Sequence, residues 1–128
     1  MSGYEITLAP DRFDLEAIHA FLSRSYWAEG IPRETVRKAV ANSLCVAAFS
    51  GSEQVGFARL VTDYATFAYL ADVYVLEAHR GHGLSRQLVA ALLVTRDAQG
   101  LYEKFGFTAL AHPARVMELH RPGIYAKP

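Results

Sequence analysis

Cysteine is nearly absent and neither sign of charge is in surplus. Cys45 is the only cysteine in 128 residues, so neither a disulfide framework nor a cysteine-based metal cluster can form within the chain. It sits in the apolar run Leu44-Cys45-Val46-Ala47-Ala48-Phe49 with no base beside it in sequence, and reads as a buried structural thiol. Thirteen basic side chains cancel thirteen acidic ones, so no global field draws the chain to nucleic acid or to an anionic membrane. Any anion binding must be local. No apolar run approaches the roughly 20 residues of a spanning helix, and the N-terminus lacks the basic-then-apolar pattern of a signal peptide. The expected setting is reduced and cytoplasmic. The five histidines are scattered, with no pair at metal-binding spacing, so no metal is expected.

What is present suits one compact domain over residues 1–128, with 52% apolar residues and 12% aromatic ones to fill a core. Residues 5–8 alternate as a short strand, and Pro10-Asp11 turns the chain. Asp14 caps a helix whose core stripe is Leu15, Ile18, Phe21 and Leu22, with His19 expected to face solvent. Gly30 and Pro32 break the helical pattern, and a second helix is expected over 32–42. Residues 44–49 and 55–62 read as an antiparallel hairpin, with Gly56 a bulge or a point of close approach. After a turn at 63–66, residues 67–76 form the central strand.

The end of that strand organises the chain. Leu70-Ala71-Asp72-Val73-Tyr74-Val75-Leu76 is rich in β-branched and aromatic residues, and Arg80-Gly81-His82-Gly83-Leu84-Ser85-Arg86 opens a helix whose stripe is Leu84, Leu88, Ala91 and Leu92. First-turn amides have no intrahelical partner and carry the positive end of the helix dipole, so those of Gly83, Leu84 and Ser85 are expected to converge on a phosphate. Gly81 and Gly83 permit positive φ, while Arg80 and Arg86 add charge at the rim. A P-loop would need Lys-Ser/Thr after a longer glycine loop. A dinucleotide fingerprint would need glycine where Arg86 stands.

Arg80-Gly81-His82-Gly83-Leu84-Ser85 resembles the Arg/Gln-x-x-Gly-x-Gly/Ala loop of the GCN5-related N-acetyltransferases, the GNAT superfamily. Downstream, Leu101-Tyr102-Glu103-Lys104-Phe105-Gly106-Phe107 is similar to that family's Leu-Tyr-x-Lys-x-Gly-Phe element. The resemblance implies an α/β (α+β) fold with a mixed, mostly antiparallel sheet and helices on both faces. It further implies an acetyl-CoA-dependent N-acetyltransferase acting on a primary amine of a small molecule or peptide. In such enzymes the loop amides hold the pyrophosphate and the strand backbone at Val73, Tyr74 and Val75 meets the pantetheine and thioester. The tyrosine, here Tyr102, protonates the departing thiolate. Ser85 replaces the family's Gly or Ala and is small enough to leave binding intact.

Three points stay open at this stage. Asp72 in an apolar strand is expensive unless it faces a cleft or has a partner, so it reads either as the group that binds or deprotonates the amine or as the partner of Arg59 across the strand pair. Glu29 and Glu77 are second choices for the base. Tyr26, Trp27 and Glu29 either wall an acceptor site or, for the two aromatics, pack on the sheet. Only eighteen residues, 84–101, separate Gly83 from Tyr102, about a dozen fewer than the family interval, which holds a helix, a turn, the fifth strand and the start of the next helix. Residues 92–95 read equally as a fifth strand or as the tail of a longer helix. A strand supplied by a partner, and so a homodimer, or a degenerate domain that binds CoA or dimerises without catalysis, are the alternatives. A last helix over 98–105 and short strands over 107–110 and 116–119 complete the expectation.

Overall fold

The computed structural model describes residues 3–94 of the chain. Its elements follow in the order β1 (Tyr4–Thr7), α1 (Leu15–Leu22), α2 (Arg33–Ala41), β2 (Leu44–Ser50), β3 (Glu53–Thr62), β4 (Ala68–Val75) and α3 (Leu84–Val94). The four strands form an antiparallel meander in the order β1-β2-β3-β4. This is the α+β class expected, with the helices shared between the two faces of the sheet. The expected helix over 98–105 and the strands over 107–110 and 116–119 lie outside the described residues.

Alternation along the strands sorts two cores. Cys45, Ala47, Phe49, Phe57 and Tyr74 face α1 and α2, which add Ile18, Leu22 and Val36. Val46, Ala48, Val55, Ala58, Leu60 and Val75 face α3, which adds Leu84, Leu88 and Leu92. Asp14 caps α1 by accepting a hydrogen bond from the Ala17 amide at 3.0 Å, an arrangement worth about 1 kcal/mol. Phe21 of α1 stacks on Tyr74 of β4, ring centroids 3.9 Å apart and planes within 6°. His19 does not face solvent as the helical pattern suggests: it is half-buried, and its Nε2 shares a 3.0 Å hydrogen bond with the Ile31 carbonyl, tying α1 to the segment that returns from it.

The sheet contains two register shifts. Ala48 pairs with Gly56 and Phe49 with Gln54, so Val55 is the extra residue of β3, beside the glycine that the sequence singled out. Gly56 is also a point of close approach, since a Cβ there would lie 3.3 Å from Leu88 Cδ1, 3.3 Å from the Tyr74 carbonyl and 3.4 Å from Ala48 Cβ. In β4, Arg59 pairs with Asp72 and Leu60 with Leu70, leaving Ala71 bulged. Beyond it, residues 73–75 run in unbroken register with 56–58. The bulge matters for Asp72. It places Ala71 and Asp72 in succession on the α1 and α2 side, where simple alternation from Leu70 would send Asp72 beneath α3.

At the β3–β4 turn, Asp63 accepts hydrogen bonds from the amides of Ala65, Thr66 and Phe67 and from the Thr66 hydroxyl. The Thr66 hydroxyl and these amides hold its carboxyl well below the usual carboxylate range. The strand reading of residues 92–95 is overturned as far as the description reaches, because α3 continues through Val94 and buries Leu92 completely.

Two outcomes are expected. Gly56→Val should cost about 1–3 kcal/mol, since the Tyr74 carbonyl cannot yield to the new side chain; a denaturation midpoint equal to the parent's would mean that α3 does not rest there. Cys45 is buried and its thiol is pushed up to about 12 by desolvation, with Arg59 opposing. Its folded pKa therefore lies above the unfolded one, so its contribution to stability is complete below about pH 8.5 and is lost as pH rises towards 12. A thiol reagent at pH 8 should label it only as fast as the protein opens, and rapid labelling of the folded chain would contradict this burial.

Candidate active site

The strand, turn and helix singled out by the sequence form one side of a cleft. After β4, a 3-10 turn at Glu77–His79 leads into the glycine loop, and Gly81 and Gly83 take φ of +88° and +75°. Any residue with a Cβ is strained at such angles, which is why glycine stands at both. The Gly83 carbonyl accepts from the Gln87 amide at 3.2 Å, so the loop ends where the first turn of α3 begins. Leu84 is buried among the residues under the sheet and pins that turn in place. The first-turn amides thus start on a fixed seat beside the end of β4.

The cleft has a volume of about 320 Å3. Val73, Tyr74 and Val75 form its β4 wall, Arg80, Gly81, Gly83, Leu84 and Ser85 its loop wall, and Phe21, Trp27 and His79 complete it. Leu76 donates its amide to the Val55 carbonyl at 2.8 Å, and ladder alternation then turns the backbone groups of Val73 and Val75 away from β3, towards the open edge. Arg80 Nε donates to the Val75 carbonyl at 2.9 Å, as that orientation requires, and folds the guanidinium back over the strand end. Among the described residues no strand pairs with this edge.

The remaining residues of the loop are placed differently. His82 leans on Tyr4, ring centroids 5.6 Å apart, and neither it nor Arg86 lines the cleft. His79 does line it, sharing a 3.0 Å hydrogen bond between Nδ1 and the Tyr4 hydroxyl. Sequence reasoning missed His79 and Phe21 as neighbours of this cleft. Phe21 was legible only as a member of a core stripe, and His79 reaches the wall through a 3-10 turn that leaves no periodic signal.

Asp72 is buried at 5% exposure, and both carboxylate oxygens are engaged. Oδ2 accepts from Arg59 Nε at 2.7 Å and Oδ1 from Trp27 Nε1 at 2.8 Å. The partnership with Arg59 is therefore present, and Arg59 is steadied in turn by the Ser43 hydroxyl at 3.1 Å. Trp27 is held at the sheet by this bond and by Phe21, whose ring centroid lies 6.2 Å away. Tyr26 stands edge-on to Trp27 but is 93% exposed, and Glu29 is exposed too. Of the three residues suggested for an acceptor wall, the structure brings only Trp27 to a cleft. Tyr102 lies outside the described residues.

A second hollow, of about 200 Å3, opens on the far side of Trp27 between β4 and the helix pair. Trp27 lines both. No group of three or more His, Cys, Asp or Glu side chains among the described residues is placed to hold a metal ion, and no helix there is long and apolar enough to cross a membrane.

The cleft fits the phosphates and pantetheine arm of coenzyme A by its construction. A Cβ-free turn gives access to helix amides, nothing among the described residues lies within 4 Å of the Cβ positions of Gly81 and Gly83, and an outward-facing strand backbone continues from it. Known proteins share both the sequence and the architecture. A profile of the acetyltransferase (GNAT) domain matches residues 41–109. A curated protein of Gibberella zeae, named as a proposed acetyltransferase, is 31% identical over 109 residues, covering 70% of this chain; the chain spans 62% of that protein's length. The crystal structure of a proposed GNAT-family acetyltransferase from Xanthomonas campestris pv. campestris is 38% identical, covers 99% of each chain and superposes with a TM-score of 0.89. A proposed acetyltransferase from Deinococcus radiodurans, 19% identical over 98% of this chain and 93% of its own, shares the fold with a TM-score of 0.65. With the profile spanning more than half of its residues and relatives more than 30% identical over most of its length, the chain belongs to the GNAT acetyltransferase family.

Proposed function

We propose that this domain transfers an acetyl group from acetyl-CoA to a primary amine of a small molecule or peptide. The observation that carries the reading is the pair of positive-φ glycines that delivers the start of α3 to the cleft beside the outward-facing backbone of Val73 and Val75. Main-chain N–H groups at a helix start bind phosphate oxygens through unpaired donors and the helix dipole, and Arg80 adds a cation at the rim. Ser85 lines the same wall with a small side chain and leaves room. Acetyl-CoA supplies the thioester-activated acyl group.

The chain's own residues then do the following. The Val73 and Val75 amides, which face the edge that no described strand pairs with, orient the arm and donate to the carbonyl oxygen as charge develops on it, while the Val75 carbonyl is held by Arg80. Tyr102 acts as the proton donor to the leaving sulfur, a role that rests on its place in the Leu-Tyr-x-Lys-x-Gly-Phe element. Asp72 acts at one remove from the amine, through Trp27 and Arg59, because both its oxygens already have partners. A cytoplasmic setting agrees with a single buried free thiol.

A second reading has one specific observation behind it. Because α3 reaches Val94, the last described residue, no more than seven residues of sequence, 95–101, separate it from Tyr102, and a domain that binds CoA without turnover accords with so short an interval.

Calorimetric titration with acetyl-CoA should give micromolar binding, and the double variant Arg80→Ala with Gly83→Val should lose it at least 100-fold; equal affinity in the variant would sink the loop assignment. Tyr102→Phe should lower turnover about 100-fold while leaving acetyl-CoA affinity within about two-fold. Undiminished turnover would make that tyrosine structural. Binding by the parent protein without turnover on any amine of a broad panel would favour the second reading.

A further inference from the structure

The second hollow has a chemical character that narrows the acceptor. Its walls are Leu22, Ile31, Val36 and Val40 from the helix pair and the segment between them, with Tyr69 and Trp27 at its mouth. Among the described residues, the only charged side chains lining it are Arg59 and Asp72, and these neutralise each other at 2.7 Å. A ligand with several positive charges would find no unpaired carboxylate on this wall, and each charge beyond the first would lose water without gaining a partner. One ammonium has aromatic partners within reach, since Trp27 and Tyr69 both line the hollow and remain 41% and 61% exposed.

Size points the same way. An apolar cavity of about 150 Å3 holds one benzene ring. The hollow, at about 200 Å3, is matched to a single ring or a branched alkyl group with a short arm. Because Trp27 lines both hollows, a body seated in the second lies one indole away from the cleft beside the glycine loop.

We infer that the acceptor is a monoamine with a compact apolar body, an arylalkyl or branched-alkyl amine, and that the hollow between β4 and α1–α2 seats that body and discriminates against polyamines. This rests on the acetyl-transfer reading and specifies its substrate.

Trp27 is the only tryptophan in the chain, so its fluorescence reports on both hollows without a label. The full chain is titrated with 2-phenylethylamine and, separately, with spermidine, each with and without saturating CoA, and CoA is titrated alone. The expected result is a saturable change in Trp27 emission with 2-phenylethylamine, at least ten-fold weaker binding of spermidine, and a ten-fold or greater loss of 2-phenylethylamine affinity in Ala39→Phe, since Ala39 of α2 also lines the hollow and a larger side chain there takes up its space. CoA affinity of that variant should stay within two-fold. Spermidine binding as tightly as 2-phenylethylamine, or no saturable response to 2-phenylethylamine, overturns the inference. So does unchanged 2-phenylethylamine affinity in a folded Ala39→Phe. If that variant does not fold, the ranking of the two amines on the parent protein decides. Absence of CoA binding alongside the expected amine ranking would refute acetyl transfer and leave the hollow's selectivity standing, so the two failures are distinct.

Discussion

A single buried carboxylate fixes the geometry of the working face. Asp72 is held on β4 where it meets Arg59 of β3 and the Trp27 indole from the segment after α1. Burying an ion pair is costly, and such a pair persists where its hydrogen bonds are complete. Here both oxygens are satisfied and Arg59 has a further partner in Ser43. Removing the acid would leave a partly buried guanidinium without its counter-charge and an indole N–H without its acceptor. What the arrangement provides is a fixed tryptophan: Trp27 belongs to a stretch with no regular secondary structure, yet it stands as a common wall between two cavities.

The opposite face is set by a different constraint. Leu84, Leu88 and Leu92 bury α3 on the sheet, and Gly56 lets Leu88 come within van der Waals range of the strand. That contact determines where α3 begins, and with it where the glycine loop delivers its amides. Position under the sheet and chemistry at the cleft are thus joined through one helix, whose first turn is both a core element at Leu84 and a wall of the cleft.

How much of this was legible in the residues depended on the kind of signal. The strand-loop-helix unit was plain, since β-branched alternation, two glycines and a leucine stripe are local patterns, and all three elements lie where those patterns put them. The two readings of Asp72 could not be separated, because the register that sets it opposite Arg59 depends on the bulge at Ala71, and an alanine in an apolar strand carries no mark of a bulge. His19 was misplaced for a similar reason: its partner is the Ile31 carbonyl, twelve residues on, in a segment whose path no periodicity describes. Of the second hollow, only Trp27 was singled out in the sequence as a candidate wall. Its apolar lining reads in sequence as ordinary core.

The composition of the glycine loop has a consequence for how this site drifts over time. The groups proposed to bind phosphate belong to the main chain, so most side chains around them are free to change without altering those donors. Only the two positions at positive φ, Gly81 and Gly83, are restricted by backbone conformation. Peptide N–H groups do not ionise in the physiological range, so acidification leaves the donors themselves intact. A site of this kind tolerates long divergence in sequence and shifts in cellular pH alike, and its history is written in the path of the backbone more durably than in the identity of its residues.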